Sequence, residues 1–205
     1  MNYSEIVNYL KRKYNAKIII LYGSFADGSN NLNSDFDVLV ITNEQINTHD
    51  SSIINNIQLD AFIYNYNYLS KENFCSLVQI FDGIILLDDE QKTGANLIKN
   101  INDYISNFSI KPLSEIKENI AWCEKMLLRF NRNDCEGYYR AHWLLVDSLE
   151  FFFDIIHHYY FGPKKALKWM EKNYNNAYSI YNKALKSFDF ESIEKWVTFL
   201  KSMVY

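Results

Sequence analysis

Leu21-Tyr22-Gly23-Ser24-Phe25-Ala26-Asp27-Gly28 closes one apolar run, and Ser34-Asp35-Phe36-Asp37-Val38-Leu39-Val40 opens the next. The first run, Ala16 to Tyr22 (AKIIILY), reads as a short buried strand, and the second, Asp35 to Thr42 (DFDVLVIT), as another. Between them Gly23 to Asn33 is rich in Gly, Ser and Asn, which predicts a loop with room for one helical turn. Residues two apart on a strand face the same way, so Asp35 and Asp37 would present two carboxylates about 7 Å apart, at a rise of about 3.3 Å per residue. Like charges so aligned repel, and a divalent cation relieves that repulsion. The competing reading is an exposed edge strand that happens to carry two acids.

Gly23 lets the backbone approach a ligand closely. Free N–H groups after it, with the Ser24 hydroxyl, suit a triphosphate. A third strand is expected at Ile57 to Tyr64 (IQLDAFIY), with Asp60 set among apolar residues. If it neighbours the Asp35–Asp37 strand, three carboxylates converge. Taken together, strand, Gly-Ser, loop, Asp-x-Asp on a strand and a later strand acid resemble the signature of the DNA polymerase β-like nucleotidyltransferases. The likeness is close over residues 16–65 and extends in outline over 1–110. It implies two Mg²⁺ ions, ATP or another NTP with its phosphates at Gly23 and Ser24, metal ligation by Asp35, Asp37 and Asp60, and Asp60 as ligand or base near the acceptor hydroxyl. One departure is Asp27, where many members carry Arg.

Around this centre the first half reads as mixed α/β. Helices are expected at Ser4 to Tyr14, Lys71 to Phe81 and Thr93 to Phe108, with a strand at Ile84 to Leu87. The second half has no strand pattern. Helices are expected at 115–131, 136–160, 164–173, 175–187 and 190–203. The fold class is therefore α+β: a nucleotidyltransferase α/β domain with a mixed sheet over 1–110, then a helical bundle over 111–205 for the acceptor.

Composition narrows the partners. The chain has 205 residues with a formal net charge of −4, which argues against a phosphate-rich nucleic-acid acceptor. The most apolar stretch, Trp143 to Phe161, is interrupted by Asp147, Glu150 and Asp154 and does not read as a membrane span. Three cysteines without a CxxC pair suit a reducing, cytoplasmic setting. A homodimer is compatible with the sequence.

On an ideal helix Glu136, Arg140, Asp147, Glu150 and Asp154 share about 80° of arc, opposite Leu145, Leu149, Phe152 and Ile156. This is either a solvated polar face or an acceptor-binding face with Arg140, Asp147 and Glu150 as contacts. Aromatic-rich Tyr160-Phe161-Gly162-Pro163-Lys164-Lys165, followed by Lys168-Trp169, loosely resembles the helical domain of kanamycin- and lincosamide-type antibiotic nucleotidyltransferases. Trp143, Tyr138, Tyr139 and Phe151 to Phe153 are expected in the core, and His49, His142, His157 and His158 suggest no site. The favoured expectation is transfer of AMP to a small hydroxylated acceptor, such as an antibiotic. The alternatives are an antitoxin-like enzyme that adenylylates a protein, and a non-catalytic nucleotide sensor.

Overall fold

A computed structural model describes residues 3–205, and the chain divides into two compact units, Met1–Asn107 and Phe108–Tyr205. The first unit begins with α1 (Ser4–Tyr14), β1 (Ile18–Leu21) and the five-residue α2 (Gly23–Asp27). β2 (Phe36–Thr42), β3 (Thr48–Asp50), β4 (Ile53–Ile54) and β5 (Ile57–Asn65) follow. Short 3₁₀ turns flank α3 (Phe74–Leu77), and β6 (Ile84–Leu87) and α4 (Thr93–Ser106) complete the unit.

The sheet order is β3-β5-β2-β1-β6, with β4 paired on β5. It is mixed: β2 and β5 run parallel, whereas β1 is antiparallel to both β2 and β6. Both faces are covered, which is why the central strands read as near-continuous apolar runs. Ile19, Leu21, Val38, Val40, Ala61 and Ile63 pack beneath α1 and Phe25 on one face. Ile18, Ile20, Leu39 and Ile41 pack against Leu77, Ile80, Leu97 and Ile101 on the other. The alternation of side chains along each strand then fixes where the strand acids go, because Asp37 and Asp60 are out of step with Val38 and Ala61 and so lie on the second face.

The first unit departs from the sequence expectations at three points. Lys71 to Phe81 is not one helix: it breaks into 3₁₀ turns at Lys71–Asn73 and Val78–Ile80 around the four-residue α3. β3 and β4 were not anticipated. Asp35 precedes its strand rather than standing on it, since β2 begins at Phe36.

The second unit is helical throughout its regular structure: α5 (Leu113–Phe130), α6 (Cys135–Ile155), α7 (Pro163–Asn173), α8 (Asn175–Ser187) and α9 (Phe190–Ser202). Asp134 caps α6 by accepting from the Gly137 N–H at 2.7 Å, and Asp189 caps α9 by accepting from Ser192 N at 2.8 Å. α6 stops at Ile155, short of the expected residue 160, because His157 takes a left-handed conformation (φ 54°) that no helix continues through. Trp196 is fully buried, and its Nε1–H donates to Ser148 Oγ at 2.8 Å. Tyr181 donates to the Leu145 carbonyl at 2.6 Å. Both polar tips are thereby satisfied inside an apolar core. Trp143, Tyr138 and Tyr139, expected in that core, are 40%, 44% and 66% exposed, while Phe152 and Phe153 are buried as expected. Among the described residues no helix is long and apolar enough to cross a membrane.

Candidate active site

The site is built where β1 ends and β2 and β5 begin. Tyr22 N–H donates to the Asp37 carbonyl at 3.0 Å, closing the β1–β2 pair just before the chain turns into α2. Asp37 on β2 lies in register with Asp60 on the parallel strand β5. Two carboxylates on one sheet face, on strands about 4.8 Å apart, form the tightest acidic pair that a parallel ladder allows. Both are half-buried, whereas Asp35 is exposed.

Gly23 shapes the other wall. Its φ of 68° lies in the left-handed region, and a β-carbon there would collide with Asp37 Oδ2 and sit 2.8 Å from Asp37 Cγ. Only glycine lets the backbone and the carboxylate come this close. Ser24 follows and is nearly buried, at 5% exposed. Asp27, at the far end of α2, is exposed and accepts from Ser29 N–H at 2.9 Å.

Two residues join the site that the sequence did not single out. Tyr22 is buried, and burial first, then the negative charges of Asp60 and Asp37, push its phenol well above the ordinary tyrosine range. It therefore stays protonated at neutral pH. His49, on β3, brings Nε2 to 2.5 Å from Asp60 Oδ1. The strand register places this pair: β3 pairs Asp50 with Ala61 on the α1 side, which puts His49 on the side of Asp60, and the three residues of β3 carry no sequence pattern that announces it.

A divalent cation fits this arrangement in a particular way. Among the described residues no group of three or more His, Cys, Asp or Glu side chains forms a ready-made metal cage. Asp37 and Asp60 stand together, and Asp35 is not gathered with them in a closed set. A hard divalent cation such as Mg²⁺ typically takes one or two carboxylates and keeps several waters, so a two-carboxylate edge is a donor set of the kind such a cation uses. The charge of the unit agrees: residues 1–107 hold 7 Lys and Arg against 13 Asp and Glu, while 108–205 hold 14 against 12. A triphosphate entering the acidic unit needs cations to offset repulsion.

In the helical unit Arg140 and Asp147 both meet Trp143. The Arg140 guanidinium lies 5.2 Å from the Trp143 ring centroid and 3.4 Å from Glu136 Oε1. Burial pushes the Asp147 carboxyl up, opposed by a hydrogen bond from Trp143. Glu150 is exposed. Asp154 pairs instead with Lys111 at 3.0 Å. A cleft of about 440 Å³ in the first unit, lined by Lys71, Phe74, Asn100, Asp103, Tyr104 and Asn107, includes none of the site carboxylates.

The sequence profile of the family described as Polymerase beta, Nucleotidyltransferase matches residues 4–91, a span that holds every element of this site. Comparison with curated proteins gives no match. Among solved structures, the chain is similar to a nucleotidyltransferase-like protein from Exiguobacterium sibiricum 255-15, at 17% identity and a TM-score of 0.42, over 98% of this chain and 71% of that one. The profile ends at residue 91, so the likeness of the helical half to antibiotic-modifying enzymes rests on its sequence alone.

Proposed function

We propose that this chain, whose residues 4–91 form a nucleotidyltransferase domain of the polymerase β type, transfers a nucleoside monophosphate from an NTP, with ATP the expected donor, to a hydroxyl of a small acceptor. The observation that carries the reading is the in-register pair Asp37 and Asp60, set against Gly23 at the turn into α2.

In this reading the triphosphate lies along Gly23 and Ser24, where backbone N–H groups and the Ser24 hydroxyl meet its oxygens. Asp35, Asp37 and Asp60 hold divalent cations, two Mg²⁺ in the expected form. Bound cations neutralise the charge that develops on the phosphoryl and leaving oxygens. The acceptor oxygen attacks the α-phosphorus and forms the new P–O bond. The bond to the bridging oxygen breaks, and pyrophosphate leaves with that electron pair. The acceptor's proton passes to Asp60, so that atoms and charge balance. Tyr22, held protonated, is an uncharged neighbour that does not add to the acidic repulsion. Positioning supplies much of the rate in such chemistry, and the rigid β2–β5 ladder suits that demand.

Arg140, Asp147 and Glu150 are proposed acceptor contacts. Their support is local: Arg140 and Asp147 share Trp143, and a carboxyl pushed up by burial gains from pairing with a cationic substrate. The acidic first unit supports a small acceptor over a nucleic acid.

The test is transfer of label from α-labelled ATP, with Mg²⁺, to a panel of hydroxylated small molecules and, separately, to lysate proteins. Labelled small molecules support the proposal. Label found only on protein replaces the acceptor class, and no transfer to either class from any NTP defeats the enzyme reading.

A further inference from the structure

We infer that His49 is a positioning residue for Asp60, and that the buried polar cluster around Asp50 holds His49 in place; the inference rests on the reading of Asp60 as part of the transfer site. His49 Nε2 approaches Asp60 Oδ1 to 2.5 Å, and the two residues are 11 apart in sequence. An ionised carboxylate has only acceptors, so the proton of this hydrogen bond belongs to Nε2. The bond occupies one carboxylate oxygen and leaves the other for a cation or an acceptor proton. A carboxylate is otherwise loose about its last torsion, whose wells are broad and twofold. With Oδ1 tied, that rotation is restricted, and the second oxygen keeps one direction.

His49 is itself held from two sides. Its ring lies 4.9 Å from the Phe62 ring, tilted by 45°, on the same sheet face as Asp60. On the opposite face the next residue, Asp50, is 5% exposed and accepts from Tyr9 at 2.9 Å, Tyr14 at 2.8 Å, Lys13 at 3.0 Å and the Ser52 hydroxyl at 2.6 Å. This cluster ties the three-residue β3 to α1. A strand so short has few ladder bonds of its own, so Asp50 supplies the anchorage that sets the direction of His49. Partners of metal-ligating groups act in this way, and their loss typically costs about 10–100-fold in metal affinity or activity.

The experiment titrates the full chain with Mn²⁺ alone, following free Mn²⁺ by electron paramagnetic resonance, in the wild type, His49→Ala, His49→Gln and Asp37→Asn, with thermal melts on each. Mn²⁺ binding should weaken about 10-fold or more in His49→Ala at an unchanged melting temperature. His49→Gln, which retains an N–H donor, should recover most of it. Wild-type affinity in His49→Ala overturns the inference. So does an equal loss in His49→Gln, which would make the imidazole a ligand instead of an orienting partner. Should His49→Ala fail to fold, His49→Leu is the donor-free variant. An Asp37→Asn chain that binds Mn²⁺ like the wild type, or a wild type that binds none, defeats the transfer-site reading itself, whereas a failure confined to the His49 variants leaves that reading standing.

Discussion

The Asp37 carboxylate packs against the α-carbon of Gly23 so closely that a β-carbon on Gly23 would fall 2.8 Å from Asp37 Cγ. The turn that is proposed to take phosphate and the acid that is proposed to take metal are thus one packed unit. Neither residue can change shape without moving the other.

Gly23→Ala should therefore damage the site by two routes, strain at a φ of 68° and displacement of Asp37. The expected outcome is loss of NTP binding, measured by calorimetry with Mg²⁺ present, in a chain that still melts cooperatively. Ser24→Ala should be milder, weakening binding by about 1.5–3 kcal/mol, the range for a hydrogen bond to a charged group. Equal affinity in Gly23→Ala and wild type would detach Gly23 from the site.

Asp60→Asn keeps the shape of β5 and removes one charge of the in-register pair. Transfer should fall by roughly 100-fold or more, in the range seen when one aimed electrostatic group is lost from a catalytic site. The check is a single-turnover rate at saturating NTP. An unchanged rate would remove Asp60 from the chemistry and leave it a surface acid.

Asp50 should make the first unit acid-sensitive. Burial pushes its carboxyl up, but hydrogen bonds from Ser52, Tyr14 and Lys13 outweigh this and hold it well below the ordinary value of 3.8. A depressed folded-state pKa stabilises the fold fully above the unfolded value, and that contribution is lost as pH falls from near 4 toward the depressed native value. Asp50→Asn should cost about 1–3 kcal/mol at pH 7, the range for unsatisfied buried partners. In urea titrations the gap between variant and wild type should close below pH 4. A constant gap down to pH 3 would refute the assignment.

The same region shows where sequence reading stops. β1, β2, β5 and β6 were legible because their apolar runs are long enough to carry a pattern, as in Ile18–Leu21 and Phe36–Thr42. Thr48–Asp50 has three residues, two of them exposed, and no periodicity, so β3 was missed and His49 with it. Asp60 was found as an acid in an apolar run, but its place opposite Asp37 depends on β5 choosing β2 as a parallel neighbour, which is a tertiary outcome. The overlong reading of α6 has a similar cause. Nothing in Ile155-Ile156-His157-His158 announces a stop, and the left-handed turn at His157 shows only in the folded backbone. Lys71 to Phe81 has helical composition but only a four-residue α-helical core between 3₁₀ turns.

Ser148→Ala tests the core of the helical unit. It strips Trp196 Nε1 of its acceptor in a fully buried position. Stability should fall by about 1–3 kcal/mol, the cost of an unsatisfied buried donor, read as a lower urea midpoint at unchanged slope. No loss would mean that the indole finds another acceptor.

The proposed role of Asp37 in nucleotide transfer is decided by incubating α-labelled ATP and Mg²⁺ with wild type and with Asp37→Asn, using the acceptor found in the screen. Label should reach the acceptor with one pyrophosphate released per transfer in the wild type, and should fall to background in an Asp37→Asn chain whose melting curve matches the wild type. Undiminished transfer by that folded variant would contradict the account.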